Sequence, residues 1–206
     1  MTERRQLAQQ LGVVAGFDDP RIDLEQYRTP PDLAAHLVHV AALRDDIAGA
    51  TVVDLGCGTG MLTLASALAG ARLSVGVELD AAALSTASEN ETQVGAQGDI
   101  AWLRADATRP PLSCSDATVV MNPPFGARDG NEHADRAFLA AARELAVVSY
   151  SIHNAGSRDF VESFAADEGG EVTHAFAAEF DAPSQYDHHD EETRTLDTEL
   201  FRIRWD

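Results

Sequence analysis

Lysine is absent from this chain: all 15 basic residues are arginine, set against 34 acidic ones for a formal charge of -19. In dilute salt such a charge makes the compact state repel itself, whereas at molar salt the screening length falls to about 3 Å and the penalty fades. The composition therefore points to a halophile's cytoplasm. It also argues against a nucleic-acid partner in ordinary buffer, an argument that weakens in brine because counterion release contributes little there. Two cysteines, Cys57 and Cys114, make neither a disulfide framework nor a metal-ligand spacing. His188 and His189 sit in an acidic loop without the usual ligand intervals, so no metal is expected. No apolar run is long enough to span a bilayer, and the opening MTERRQLAQQLG lacks the apolar segment of a signal peptide, which together imply a cytoplasmic protein with no membrane partner. Acidic disorder fits poorly, because 45% of residues are hydrophobic and fall in ordered runs.

What is present alternates. A helix is predicted over residues 2 to 11, and Thr29-Pro30-Pro31 leads into a second with Leu33, Leu37, Val40 and Ala41 at helical spacing. Short β-rich runs at 51 to 55, 73 to 78, 100 to 104, 117 to 121 and 145 to 150 are interleaved with helical patterns at 60 to 69, 81 to 91, 134 to 143 and 156 to 166. That rhythm specifies βαβ units on a parallel sheet. Two late runs, 172 to 180 and 198 to 205, have only a polar loop between them and read as an antiparallel hairpin at one end. The expectation is a single α/β domain with a doubly wound, mostly parallel, seven-stranded sheet, its ligands at the carboxyl ends of the strands.

The residues at those ends describe one ligand. The first strand runs into DLGCGTG, residues 54 to 60, whose Gly56, Gly58 and Gly60 permit close backbone approach. A dinucleotide fingerprint needs its third glycine where Met61 stands, and Asp54 suits an ammonium rather than a pyrophosphate. The second strand ends in Glu78, placed to accept ribose hydroxyls. The third leads to Asp106, which either accepts from an adenine amino group or simply caps a turn. An adenosine joined to an amino acid satisfies all three, and S-adenosylmethionine is such a molecule.

The fourth strand stops at Asn122-Pro123-Pro124-Phe125. Alone this is a strand-terminating turn, since proline cannot donate to a ladder and fixes its own φ. Beside a methyl donor it reads differently. The exocyclic amine of adenine is a poor nucleophile, and two rigid acceptors, the Asn122 oxygen and the Pro123 carbonyl, can bind its hydrogens and favour a tetrahedral nitrogen. Phe125 can stack on the base once it has left its helix.

DLGCGTG, GVELD and NPPFG in that order resemble a class I S-adenosylmethionine-dependent methyltransferase. LEQYRTP, NPPFGARDGNEHADRAFL and YSIHNAGSR narrow the resemblance to the methyltransferase-like-five family, which methylates N6 of one adenosine in small-subunit ribosomal RNA. The resemblance implies a single methyltransferase domain over 1–206, with residues 1–45 closing over the cofactor site through Gln26 and Thr29. It implies that Gly56, Thr59 and Met61 line the loop, that Asp106 and Ala107 contact the adenine, and that Asn122 to Phe125 receive the target base. Asn154 stands where the family's lysine is familiar, leaving Arg128, Arg136 and Arg158 as cations near the mouth. The family further implies a partner, a small zinc-ribbon methyltransferase activator, docking on the edge strand near Ile100 to Leu103. A protein glutamine-N5 methyltransferase and a non-catalytic ribosome-assembly scaffold are the competing readings.

Overall fold

In the computed structural model, residues 3–96, 98–124, 134–183 and 193–206 are described. Helix α1 (Arg4–Leu11) and a short 3-10 turn (Ile22–Leu24) precede α2 (Pro31–Ala42), which opens with proline in its first turn, where a missing N–H costs nothing. Then follow β1 (Thr51–Leu55), α3 (Met61–Leu68), β2 (Leu73–Glu78), α4 (Ala81–Val94), β3 (Asp99–Arg104) and β4 (Ala117–Met121). The chain ends with α5 (Ala134–Leu145), β5 (Ala146–Asn154), α6 (Arg158–Asp167), β6 (Gly170–Pro183) and β7 (Thr193–Trp205).

The seven strands order as β3-β2-β1-β4-β5-β7-β6. β1 to β5 are parallel; β7 runs antiparallel to both β5 and β6, the hairpin the two late runs predicted. The central strands are apolar on both faces, as a sheet covered by helices on each side requires, and β4 is buried along its whole length. One core gathers α1, α2 and α3 through Leu7, Leu37 and Leu64, and the other gathers α5 and α6 through Leu139 and Phe164.

Strand order reverses between β1 and β4, so the crevice opens at the ends of these two strands. The segment before α2 is drawn over this crevice by two buried amides. Asn90 of α4 accepts from the Ala15 N–H at 2.8 Å and donates to the carbonyls of Ala15 and Thr59 at 3.1 and 2.9 Å. Gln26 accepts from the Arg21 N–H at 2.8 Å and donates to Asp80 at 2.9 Å.

The edge strand differs in one respect from its sequence reading. β3 does lie at the sheet edge, but Trp102 is committed inward. Its ring fills the space where side chains would stand on Gly60 and Gly76, and its Nε1–H donates to Glu91 at 2.7 Å. Ile100 and Trp102 pack with one core and Leu103 with the other.

Candidate active site

A cavity of about 600 Å³ opens at the carboxyl ends of β1, β2 and β4. Its floor is the turn after β1, where Asp54, Gly56, Gly58, Thr59 and Met61 all line it. Glu78 forms one side with Asp106 and Ala107, and Asn122 with Pro124 forms another. Gln26 and Thr29 close it from the N-terminal segment. Of the remaining predicted residues, Gly60 stands at the start of α3 and Pro123 between two lining residues, neither among the lining residues. Phe125, Arg128 and the stretch 126–133 lie outside the described residues, as do His188 and His189.

The glycines of the turn are needed by the protein as much as by a ligand. Gly58 adopts φ +54°, a left-handed conformation that side chains disfavour. A Cβ there would come within 2.8 Å of the Phe17 ring; on Gly56 it would meet Phe138 at 3.0 Å, and on Gly60 Trp102 at 2.7 Å. Three rings from distant segments thus seat against three missing side chains. Phe17 and Phe138 are themselves lining residues that periodicity alone did not single out.

Asp54 is the most unusual group. Its side chain is buried, and Oδ2 accepts from the N–H and hydroxyl of Thr63 at 2.8 and 2.7 Å. Oδ1 is buried with no partner. Desolvation pushes the carboxyl up to about 7 against the two Thr63 bonds, with the nearby Glu78 adding to the shift. A buried acceptor left open beside a cavity fits a cationic ligand group. Burial also raises the neighbouring Cys57 thiol well above its usual range, which makes it inert.

Glu78 is engaged before any ligand arrives. Oε2 accepts from the Gly58 N–H and Oε1 from the N–H groups of Leu79 and Asp80, each at 2.9 Å. Of the roughly four acceptor positions of a carboxylate, one remains, so this arrangement has room for one ribose hydroxyl rather than both. Asp106 combines its two readings. Oδ1 accepts from the Thr108 N–H and hydroxyl at 2.9 and 2.7 Å, which holds the carboxyl below its usual range, while the residue also lines the cavity.

Asn122 is held from the N-terminal segment. Its Oδ1 accepts from the Tyr27 hydroxyl at 2.7 Å, and its Nδ2 donates to the Thr29 hydroxyl at 2.9 Å. Thr29, expected at the cofactor, spends its hydroxyl on Asn122, and the polar atoms of Gln26 are likewise taken up by Arg21 and Asp80. Tyr27 stands inside LEQYRTP, yet nothing in that stretch signals a bond to a residue 95 positions away. Two expected cations have neighbours of their own but stay accessible: the exposed Arg136 guanidinium lies 5.1 Å from the centre of the Phe164 ring, and the half-exposed Arg158 approaches Glu162 at 4.0 Å.

Residues 30–149, from α2 to β5, match the methyltransferase small domain family. Over 97% of its length the chain is also 36% identical to the rRNA N(6)-adenosine-methyltransferase Mettl5 of Drosophila melanogaster, covering 95% of that protein. The chain belongs to this methyltransferase family. An uncharacterized protein of Methanocaldococcus jannaschii is 33% identical over 98% of this chain and 94% of its own. The fold of a Pyrococcus horikoshii protein, described provisionally as an RNA methyltransferase, superposes with a TM-score of 0.88 at 36% identity, covering 100% of this chain and 98% of that one. The protein is thus an S-adenosylmethionine-dependent methyltransferase, and the open Asp54 oxygen, the glycine-rich turn that lines the cavity and Glu78 fit that cofactor. Among its described residues, no helix is long and apolar enough to cross a membrane, and no three His, Cys, Asp or Glu are grouped to hold a metal.

Proposed function

We propose that this methyltransferase acts on N6 of an adenosine in small-subunit ribosomal RNA. The observation that carries the reading is that Asn122 and Pro124 line the same cavity as Asp54 and Glu78, so the acceptor motif and the cofactor residues share one space. S-adenosylmethionine, when bound, supplies a methyl group made electrophilic by its sulfonium. Asp54 Oδ1 takes the ammonium of the amino-acid portion, Glu78 one ribose hydroxyl, and Asp106 with Ala107 the adenine edge. Asn122 and the Pro123 carbonyl accept from the two hydrogens of the target amine, and Phe125 stacks on the base. Held there, the cofactor would give up its methyl group to the amine and keep the carbon–sulfur electron pair, and the amine so held by Asn122 and Pro123 would lose its proton to water. No side chain of perturbed basicity is needed for that last step.

Supporting the RNA substrate are the likeness to Mettl5 over nearly the full chain and the presence of Asn122 and Pro124 in the cavity lining. Residues 1–45 act within one domain as a wall over the cofactor, since Phe17, Leu24 and Gln26 to Thr29 line the cavity. The lysine-free acidic composition supports a cytoplasm of molar salt as the working medium. The edge position of β3 supports docking of a zinc-ribbon activator by strand addition, with the backbone rather than the inward-facing, partly buried Trp102 ring as the docking element. A melting temperature that does not respond to the activator defeats that partnership.

Asn122→Ala tests the core of the proposal. Methyl transfer to unmethylated small-subunit RNA is expected to be lost while the cofactor dissociation constant stays within a few-fold, because the side chain serves the acceptor amine. A large rise in that constant, or wild-type turnover, contradicts the assignment.

A further inference from the structure

Tyr27 has no part in the cofactor or acceptor motifs, yet its 2.7 Å bond to the Asn122 amide is shorter than the 2.9 Å bond with Thr29. A primary amide at the end of a strand turns about its last side-chain bond, and half a turn exchanges an acceptor for a donor. For an amine acceptor the two orientations are opposite in effect. The oxygen accepts from the target N–H, whereas the NH2 group repels it and leaves the nitrogen lone pair delocalised.

We infer that Tyr27 is a positioning residue for methyl transfer, and that with Thr29 it clamps the Asn122 amide so that its oxygen serves the target amine. The inference rests on the assignment of Asn122 as the group that receives that amine. The Tyr27 hydroxyl meets Oδ1 and the Thr29 hydroxyl meets Nδ2, and all three residues line the cavity. A phenol is the better hydrogen-bond donor and an aliphatic hydroxyl the better acceptor, so this pair favours the orientation with oxygen toward Tyr27. Burial also raises the Tyr27 hydroxyl far above the ordinary tyrosine range, keeping its proton in place. An amide oxygen has two lone pairs; Tyr27 occupies one and the second is left for the amine. The clamp couples the N-terminal segment to the chemistry, because Gln26, next to Tyr27, is itself tied through Asp80 to the start of α4.

Tyr27→Phe keeps the ring and removes only the donor. With saturating S-adenosylmethionine and unmethylated small-subunit RNA, its kcat is expected to fall about tenfold or more, the scale on which small misplacements act. The cofactor dissociation constant and the KM for RNA should stay within threefold. Thr29→Val should lose rate similarly, and Thr29→Ser, which keeps the hydroxyl, should retain at least several times the kcat of Thr29→Val. A Tyr27→Phe enzyme within twofold of wild-type kcat, beside an inactive Asn122→Ala, overturns this inference alone. Wild-type turnover in Asn122→Ala overturns both it and the reading beneath it. A tenfold loss of cofactor affinity in Tyr27→Phe and Thr29→Val equally counts against it, since it makes these residues cofactor contacts. If Tyr27→Phe lowers the melting temperature, the Thr29→Val and Thr29→Ser pair reads the same clamp, and equal rates for the two overturn it.

Discussion

Asp54 has one oxygen saturated by Thr63 and the other buried without a partner. Its carboxyl is raised to about 7 in the folded protein, against about 3.9 in an unfolded chain, so the native state holds a proton that the unfolded state has lost between those values. Its contribution to stability is full below about 4 and declines as pH rises through 7. His153 runs the other way: burial lowers it to about 4, so its contribution grows as pH rises from there toward 6.5. Asp54→Asn keeps the His153 contribution and removes that of the carboxylate, so the stability of wild type relative to the variant should fall between about pH 4 and 7 in thermal melts. Cofactor binding has the opposite preference. An ammonium at Oδ1 requires the ionised form, so S-adenosylmethionine affinity should weaken as pH falls below about 7 in wild type. In the Asp54→Asn enzyme, affinity should be weaker at and above pH 7, nearly independent of pH across that interval, and close to wild type at its acid end, measured by titration calorimetry. That Asp54, Glu78 and Asp106 would stand together at the carboxyl ends of their strands, where they line the cavity, was legible because each lies at or just beyond the end of a recognisable run. Their existing bonds were not, since Thr63, the Gly58 N–H and Thr108 become partners only once the turns have closed.

At the scale of elements, the strand and helix pattern was largely readable because each element carries its own period. β1, β2 and β4 fall where the runs of TVVDL, LSVGVE and ATVVM placed them. The hairpin begins earlier than read, at Gly170, where the missing side chain makes room for the Trp205 ring at 2.5 Å from a notional Cβ. Contacts between segments distant in sequence were hidden. Phe17 against Gly58, and Asn90 bridging Ala15 to Thr59, depend on how the N-terminal segment folds back. Asn90 therefore carries a prediction of its own. Asn90→Ala strands buried partners on both segments, which should cost about 1–3 kcal/mol in denaturant unfolding. The same change should raise the cofactor dissociation constant several-fold by freeing the wall that carries Phe17 and Tyr27. Unaltered affinity alongside the stability loss would mean that this wall does not depend on the Asn90 bridge.

Across the whole molecule, charge and tertiary ties set the working conditions. Arg202 on β7 reaches Asp46 at 2.9 Å and bonds the hydroxyls of Tyr150 and Thr173, fastening the antiparallel end of the sheet to the loop before β1. This pair is shielded, so it is screened little by salt, whereas the net charge of -19 is screened strongly. Thermal stability should accordingly rise as potassium chloride is raised from about 0.1 M toward the molar range. Arg202→Met should lower it by about 1–3 kcal/mol at either salt concentration, because it leaves the largely shielded Asp46 without its cation. A melting temperature indifferent to salt would remove the support for a saline working medium. The central claim is tested most directly on ribosomal RNA from cells lacking the gene, by mass spectrometry of nucleosides from the small subunit. N6-methyladenosine is expected to disappear at one site and to return when the purified enzyme and S-adenosylmethionine are added. Unchanged N6-methyladenosine at every small-subunit site would contradict the claim.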